Sequence, residues 1–186
     1  MREGLERLYR GYLLALISAI LMIIPYLSLL ALALAGAAAY FIYSGFKYLS
    51  KVDKKYAPGK KGILFVFVGT VIAFLSIFFQ PLALAALAVL VYGMVEYFKG
   101  LWALGDLKGG EPIKLGVIVA SAAFALSIIT SVFVADLYLR GRPEAPFLKG
   151  SVFALLLADQ FLAGASIVLM LAGVKGILNH LPKARS

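Results

Sequence analysis

Between Gly11 and Tyr48 the chain carries a single charge, Lys47. As one straight helix this run would measure about 55 Å, whereas the hydrocarbon core of a bilayer is about 30 Å thick. The run is too long for one crossing and too apolar for a soluble core, so it must fold back on itself. Pro25 is its strongest helix breaker and predicts the position of the turn.

The composition agrees with a membrane location. Hydrophobic residues make up 63% of the 186 positions and charged residues 15%, with a mean hydropathy of +0.98. An ordinary soluble domain is only about 45 to 50% apolar. The length predicts one transmembrane domain over residues 1–186, and the lack of cysteine excludes disulfides and thiolate metal sites.

The arrangement of run, break and run recurs twice more. The second break is at Gln80-Pro81, and the third is the longer loop Leu139–Gly150. The sequence therefore predicts an all-α integral membrane six-helix bundle made of three helical hairpins. The predicted helices cover residues 8–24, 27–47, 62–79, 82–98, 113–138 and 151–178. A charged amphipathic lead-in, residues 2–10, is expected at the cytoplasmic surface, with Glu3–Arg7 and Glu6–Arg10 pairs.

Basic residues predict the orientation. Six lysines lie between residues 43 and 62, where the first hairpin ends and the second begins. With the N-terminus, the loop at 99–114 and the C-terminal region, one side receives fifteen of the 18 Lys and Arg residues. The positive-inside rule then places both termini in the cytoplasm. The net charge of +9 is predicted to face anionic headgroups rather than nucleic acid, because it flanks apolar segments.

Small residues recur at four-residue spacing, which favours close helix packing in lipid. Bundle packing is one interpretation and a homo-oligomer interface is the other. The small residues with this spacing are Gly11, Ala15 and Ala19 on helix 1, Gly69 and Ala73 on helix 3, and Gly116 and Ala120 on helix 5. The exits of the even-numbered helices also resemble one another around Phe46-Lys47, Phe98-Lys99 and Val174-Lys175. Parallel repeats are one interpretation, and chance similarity among aromatic and lysine helix ends is the other.

Asp159 is the candidate intramembrane site. If helix 6 begins at Gly150, Asp159 lies about 13 Å into the bilayer, where carboxylates are costly and often functional. If residues 147–158 form a short outer helix instead, Asp159 lies at the outer mouth of the span. The polar residues that could line a path are Asp159, Gln160, Ser127, Thr130 and Ser131.

Catalytic signatures such as H-E-x-x-H, G-x-S-x-G and the P-loop are missing from the sequence. No enzyme activity, cofactor or metal is predicted. His180 is expected to end helix 6, while Asp136–Arg140 and Glu96–Lys99 are interpreted as interfacial ion pairs. Six tyrosines near the ends of the predicted helices are assigned to the aromatic belts: Tyr9, Tyr12, Tyr26, Tyr40, Tyr43 and Tyr48.

The opening Glu3–Leu13, the break Ile24-Pro25 and the exit Tyr43–Ser50 resemble small archaeal multi-span membrane proteins of unknown function. The resemblance covers about the first 60 residues and implies an archaeal plasma-membrane protein, with no catalytic residues to carry over. The depletion of Asn, Gln and Cys also indicates a thermophile.

Two functions remain open at this point. The first is a non-enzymatic accessory or assembly component that packs in a homo-oligomer or a larger membrane complex. The second is a small transporter or channel that uses Asp159 and the nearby polar groups. A cavity reaching Asp159 would favour the second, and a dry, closely packed interior would favour the first.

Overall fold

A computed structural model describes residues 1–76, 78–79, 81–139 and 146–182. The described chain is all-α, with six α-helices and two short 3₁₀ turns. The helices are α1 Arg2–Leu21, α2 Ser28–Val52, α3 Ala57–Leu75, α4 Leu82–Gly105, α5 Glu111–Leu139 and α6 Pro146–His180. α5 and α6 are the longest, with 29 and 35 residues.

Several helices extend beyond the apolar runs from which they were predicted. α2 continues to Val52 rather than 47, α3 begins at Ala57 rather than 62, and α4 continues to Gly105 rather than 98. In these added turns Leu49, Gly59 and Leu101 are buried. Lys51, Lys61 and Lys99 are exposed, so the helices stay amphipathic where the hydropathy falls. A fall in hydropathy along the sequence therefore indicates where a helix leaves the apolar core of the membrane. The helix itself continues as long as its buried face packs against neighbouring helices.

The lead-in segment runs directly into the first helix, as the sequence predicts, but its apolar face packs into the bundle. It forms the first turns of α1, and Leu5 and Leu8 are fully buried against the other helices. Arg7 pairs with Glu3 at 3.1 Å as predicted, but Glu6 pairs with Arg2 at 3.0 Å rather than with Arg10.

The helices pair as three antiparallel hairpins, α1 with α2, α3 with α4 and α5 with α6. Further contacts join α2 to α3, α4 to α5, and α6 back to α1, so the six helices form a closed ring. The starts of α1, α3 and α5 and the ends of α2, α4 and α6 share one end of this ring, which we call the basic end. There the Arg2 guanidinium donates to the Pro182 carbonyl at 3.5 Å, so residues from the two ends of the chain meet.

Glycines allow the helices to touch near the basic end. A side chain at Gly62 would collide with the backbone of Tyr97, and one at Gly93 would meet the Val66 nitrogen at 2.7 Å. The Phe46 ring occupies the space that a side chain on Gly59 would need. This close approach of backbones maximises packing where lipid offers no hydrophobic drive.

The half of the ring away from the basic end is looser and its perimeter is apolar. Ile23, Tyr26, Leu29 and Phe78 are among its exposed side chains. Within the described residues, α2 to α6 are long and apolar enough to cross a bilayer by length and composition. The charged first turns of α1 leave it with less uninterrupted apolar length.

The glycine contacts predict different effects of the same substitution at two helical positions. Gly62→Ala is expected to destabilise the protein by about 1 to 3 kcal/mol, because the methyl group overpacks a backbone contact. Gly36→Ala, where nothing lies within 4 Å of the added carbon, is expected to be neutral or to stabilise by up to about 1 kcal/mol. Thermal unfolding of the purified protein in detergent measures both, and equal melting temperatures would contradict the glycine-mediated packing.

Candidate functional site

A cavity of about 550 Å³ lies inside the ring, and all six helices contribute to its lining. Eight of its lining residues are alanines, which α1, α2, α5 and α6 contribute. These are Ala15, Ala19, Ala35, Ala38, Ala39, Ala120, Ala123 and Ala163. A volume in this range suits a small organic ligand.

Two tyrosines close the cavity toward the basic end. The hydroxyl groups of Tyr12 and Tyr97 are hydrogen-bonded to each other across the ring. Phe46 packs edge-to-face on the Tyr97 ring, with centroids 5.9 Å apart. Beneath them Leu8 and Leu101 are fully buried, so in this conformation the cavity does not continue to the basic end.

The α5/α6 hairpin sets the polar mouth of the cavity. Ile113 packs against Gly173, and Leu169 lies against Gly116, which fixes the antiparallel register. That register brings Ser127 level with Asp159, and both residues line the cavity beside Gln160.

α6 is continuous from Pro146 to His180, so the structure does not contain the separate short helix considered for residues 147–158. Asp159 nevertheless lies far from the basic end. It is 21 residues from His180, or about 32 Å along the helix, which is close to the thickness of a hydrocarbon core. A carboxylate at this level is near the boundary of the hydrocarbon core opposite the basic end, where water reduces its desolvation cost.

The five predicted site residues do not all converge. Asp159, Gln160 and Ser127 line the cavity. Thr130 is buried outside the lining, and its hydroxyl has no hydrogen-bond partner among the described residues. Ser131 faces outward, with its hydroxyl donating to the Ser127 carbonyl at 2.8 Å, so it is not part of this site.

Sequence reasoning missed two tyrosines and two serines that line the cavity. Tyr12, which the sequence assigned to the aromatic belt, is only 2% exposed. Its position one residue after Gly11, on a helix face of small residues, is the signal that could have placed it inside. Ser18 and Ser166 also line the cavity, with their hydroxyls donating to the Ala31 and Ala163 carbonyls at 2.7 Å.

Of the two predicted interfacial ion pairs, one lies among the described side chains. Glu96 pairs with Lys99 at 2.7 Å, as predicted. The Asp136–Arg140 pair lies outside the described side chains. In the part of the chain that the structure describes, no group of three or more His, Asp or Glu residues could hold a metal ion.

The fold and the site together define a polytopic helical membrane protein with a cavity inside its helix ring. Scans of protein-family models, of curated proteins and of solved structures found no match. No family is therefore identified for the chain, and the resemblance of its first 60 residues to archaeal proteins is not supported by a family match.

The absence of native cysteine makes the cavity testable by single-cysteine labelling. Ala35 lines the cavity, while Ala33, two residues away on α2, faces the perimeter. Thiol reagents of the methanethiosulfonate type need a hydrated thiolate, so we expect Ala35→Cys to react at least 10-fold faster than Ala33→Cys with a membrane-impermeant reagent. Equal rates at the two positions would mean that the cavity is dry.

Proposed function

We propose that this chain is a non-enzymatic multi-pass membrane protein that binds small solutes in its cavity and carries them across the bilayer. The observation that carries the proposal is a cavity lined by all six helices, with Asp159 and Gln160 at the mouth and Tyr12 and Tyr97 at the floor. Carboxylate, amide and hydroxyl groups inside an apolar wall are suited to orienting a bound molecule.

The contacts between helices support alternating access as the mechanism. Each hairpin is held together more extensively than it is joined to its neighbours. Three such units can rock against one another around a central site, as repeats do in known transporter architectures. In this mechanism the Tyr12–Tyr97 hydrogen bond is the inner gate, which breaks when the cavity opens toward the basic end.

The basic end is proposed to face the cytoplasm, with both termini inside. Lysines at the basic end, such as Lys51 and Lys54, are exposed and would contact anionic headgroups. Location in the plasma membrane is proposed from this orientation, and an archaeal source from the resemblance of the first 60 residues alone, which no family match supports.

Orientation is tested by labelling from one side. Lys54→Cys lies in the exposed turn between α2 and α3, and Tyr26→Cys lies in the exposed turn between α1 and α2 at the other end. In intact cells an impermeant thiol reagent should modify Tyr26→Cys and spare Lys54→Cys until the membrane is permeabilised. The reverse pattern would mean that the basic end faces outward.

An accessory or assembly role is the second candidate, and the apolar perimeter favours it. Phe74, Phe78, Phe79 and Leu84 are all at least 65% exposed around the α3/α4 turn. In a bilayer this aromatic surface contacts lipid, and in the accessory role it would instead contact a second copy of the chain or a larger membrane complex. In this alternative the cavity would be a by-product of small-residue packing.

Access from both sides separates the two functions without knowledge of the substrate. Ala38 lies deep in the cavity wall, and we expect Ala38→Cys to react from the outer side and, in inverted vesicles, from the cytoplasmic side. Adding Tyr12→Phe removes the hydrogen bond of the inner gate and should raise the cytoplasmic rate several-fold, because the gate opens more often.

The matched control is Tyr26→Phe, which removes a hydroxyl from a side chain that is 97% exposed and should change neither rate. If Ala38→Cys reacts from the outer side alone, with and without Tyr12→Phe, transport by alternating access is excluded and the accessory role is favoured.

A further inference from the structure

A groove of about 740 Å³ runs along the outside of the ring between α1 and α6. This is the seam where the last hairpin meets the first, and no loop links its two helices directly. Ile20, Leu157 and Phe161 line the groove, and all three are exposed at the perimeter. In a bilayer this surface would be filled by lipid chains.

Only a thin wall separates the groove from the cavity. Ala19 and Gln160 line both spaces, so the partition at this level is a methyl group and an amide side chain. Gly164, one turn further along α6, has nothing within 4 Å of the position that a Cβ would take. The seam is thus loosely filled where it borders the mouth of the cavity.

A smaller groove of about 230 Å³ lies between α2 and α3 and shares Ala39 and Ile63 with the cavity. Apart from its two tyrosines its lining is apolar, and it reaches the cavity far from Asp159. The α1/α6 seam instead meets the cavity beside Asp159, because Gln160 is the next residue in the chain. The α1/α6 groove is larger than the α2/α3 groove and reaches the cavity closer to the Asp159 carboxylate. Both differences favour the α1/α6 seam as the route for a charged molecule.

The cavity combines one carboxylate at its mouth with alanine walls and an aromatic floor. At the boundary of the bilayer, where water screens the charge only in part, a carboxylate that lines an apolar cavity is stabilised by a cationic partner. The ring of Phe124, which lines the cavity three residues from Ser127 on α5, adds attraction for a cation held near Asp159. Apolar walls exclude strongly hydrated ions and favour an ion that carries its own hydrophobic body.

We propose that the ligand is a lipophilic cation that partitions into the bilayer and enters the cavity sideways between α1 and α6, with Asp159 as its counter-ion. Gln160 forms part of the doorway, and its side chain must move aside as the ligand passes. Asp159 then holds the cationic centre at the mouth while the apolar body fills the alanine-lined space.

The ligand class, which rests on the proposed transport function, is tested with two probes of matched shape and opposite charge. The purified protein in nanodiscs of zwitterionic phosphatidylcholine is titrated with tetraphenylphosphonium and with tetraphenylborate, and binding to empty nanodiscs is subtracted. We expect the cation to bind at least 10-fold more tightly, although the net charge of +9 favours the anion. Asp159→Asn should abolish this preference, and Asp159→Glu should keep it.

The route is tested by filling each groove separately. Gly164→Phe occupies the α1/α6 seam and Gly36→Phe occupies the α2/α3 groove; neither glycine has an atom within 4 Å of its added Cβ. We expect Gly164→Phe to slow the entry of membrane-dissolved tetraphenylphosphonium into the cavity at least five-fold. Gly36→Phe should leave the rate of entry unchanged. Gly164→Leu, with a smaller side chain, should give an intermediate rate.

Two results would overturn the inference. A cation preference that survives Asp159→Asn would remove the counter-ion role, and equal uptake rates in the two Phe variants would remove the lateral route. If Ala35→Cys and Ala38→Cys show a hydrated cavity with access from both sides but neither probe binds, the ligand class is wrong and transport stands. If both cysteines are unreactive, transport itself is wrong.

Discussion

The structure depends on backbone-to-backbone contact at glycine in the half of the ring near the basic end. In a bilayer, the exclusion of water does not drive helices together, so their association relies on close packing and on hydrogen bonds. Gly62 and Gly93 let α3 and α4 approach until side chains would collide, and Gly4 and Gly45 do the same for α1 and α2. The close contacts in this half set the positions of the six helices relative to one another. They thereby also set the spacing of the helices around the cavity in the other half.

The choice between glycine and alanine at small-residue positions separates the sealed half from the hollow one. Gly11 packs directly against Ile42, but Ala15 and Ala19, one and two turns further along α1, line the cavity. On α5, Gly116 contacts α6 while Ala120 faces the cavity. Small side chains thus serve two purposes on one helix face: contact where the helices meet, and space where they diverge.

The three hairpins could be predicted because a long uncharged run with an internal proline has few ways to fit a bilayer. Helix ends were less predictable, since Leu101 and Leu104 continue α4 past Lys99 through packing that hydropathy does not register. Asp159 stood out as an ionisable residue in an apolar run. Tyr12 did not, because an aromatic residue near a helix end fits a belt position and a gate equally well, and only the partner across the ring, Tyr97, distinguishes the two.

The unequal lengths of the hairpins bear on how the protein is inserted during synthesis. With the basic end inside, the first two hairpins expose only short, uncharged turns on the far side and can enter the bilayer as helix pairs. The chain between Leu139 and Pro146 contains Arg140 and Arg142. Together with Glu144 they give this segment a net charge of +1, and moving one such charge outward against a membrane potential of 100 mV costs about 2.3 kcal/mol. In this orientation, translocation of the third hairpin therefore depends on the membrane potential, whereas that of the first two hairpins does not.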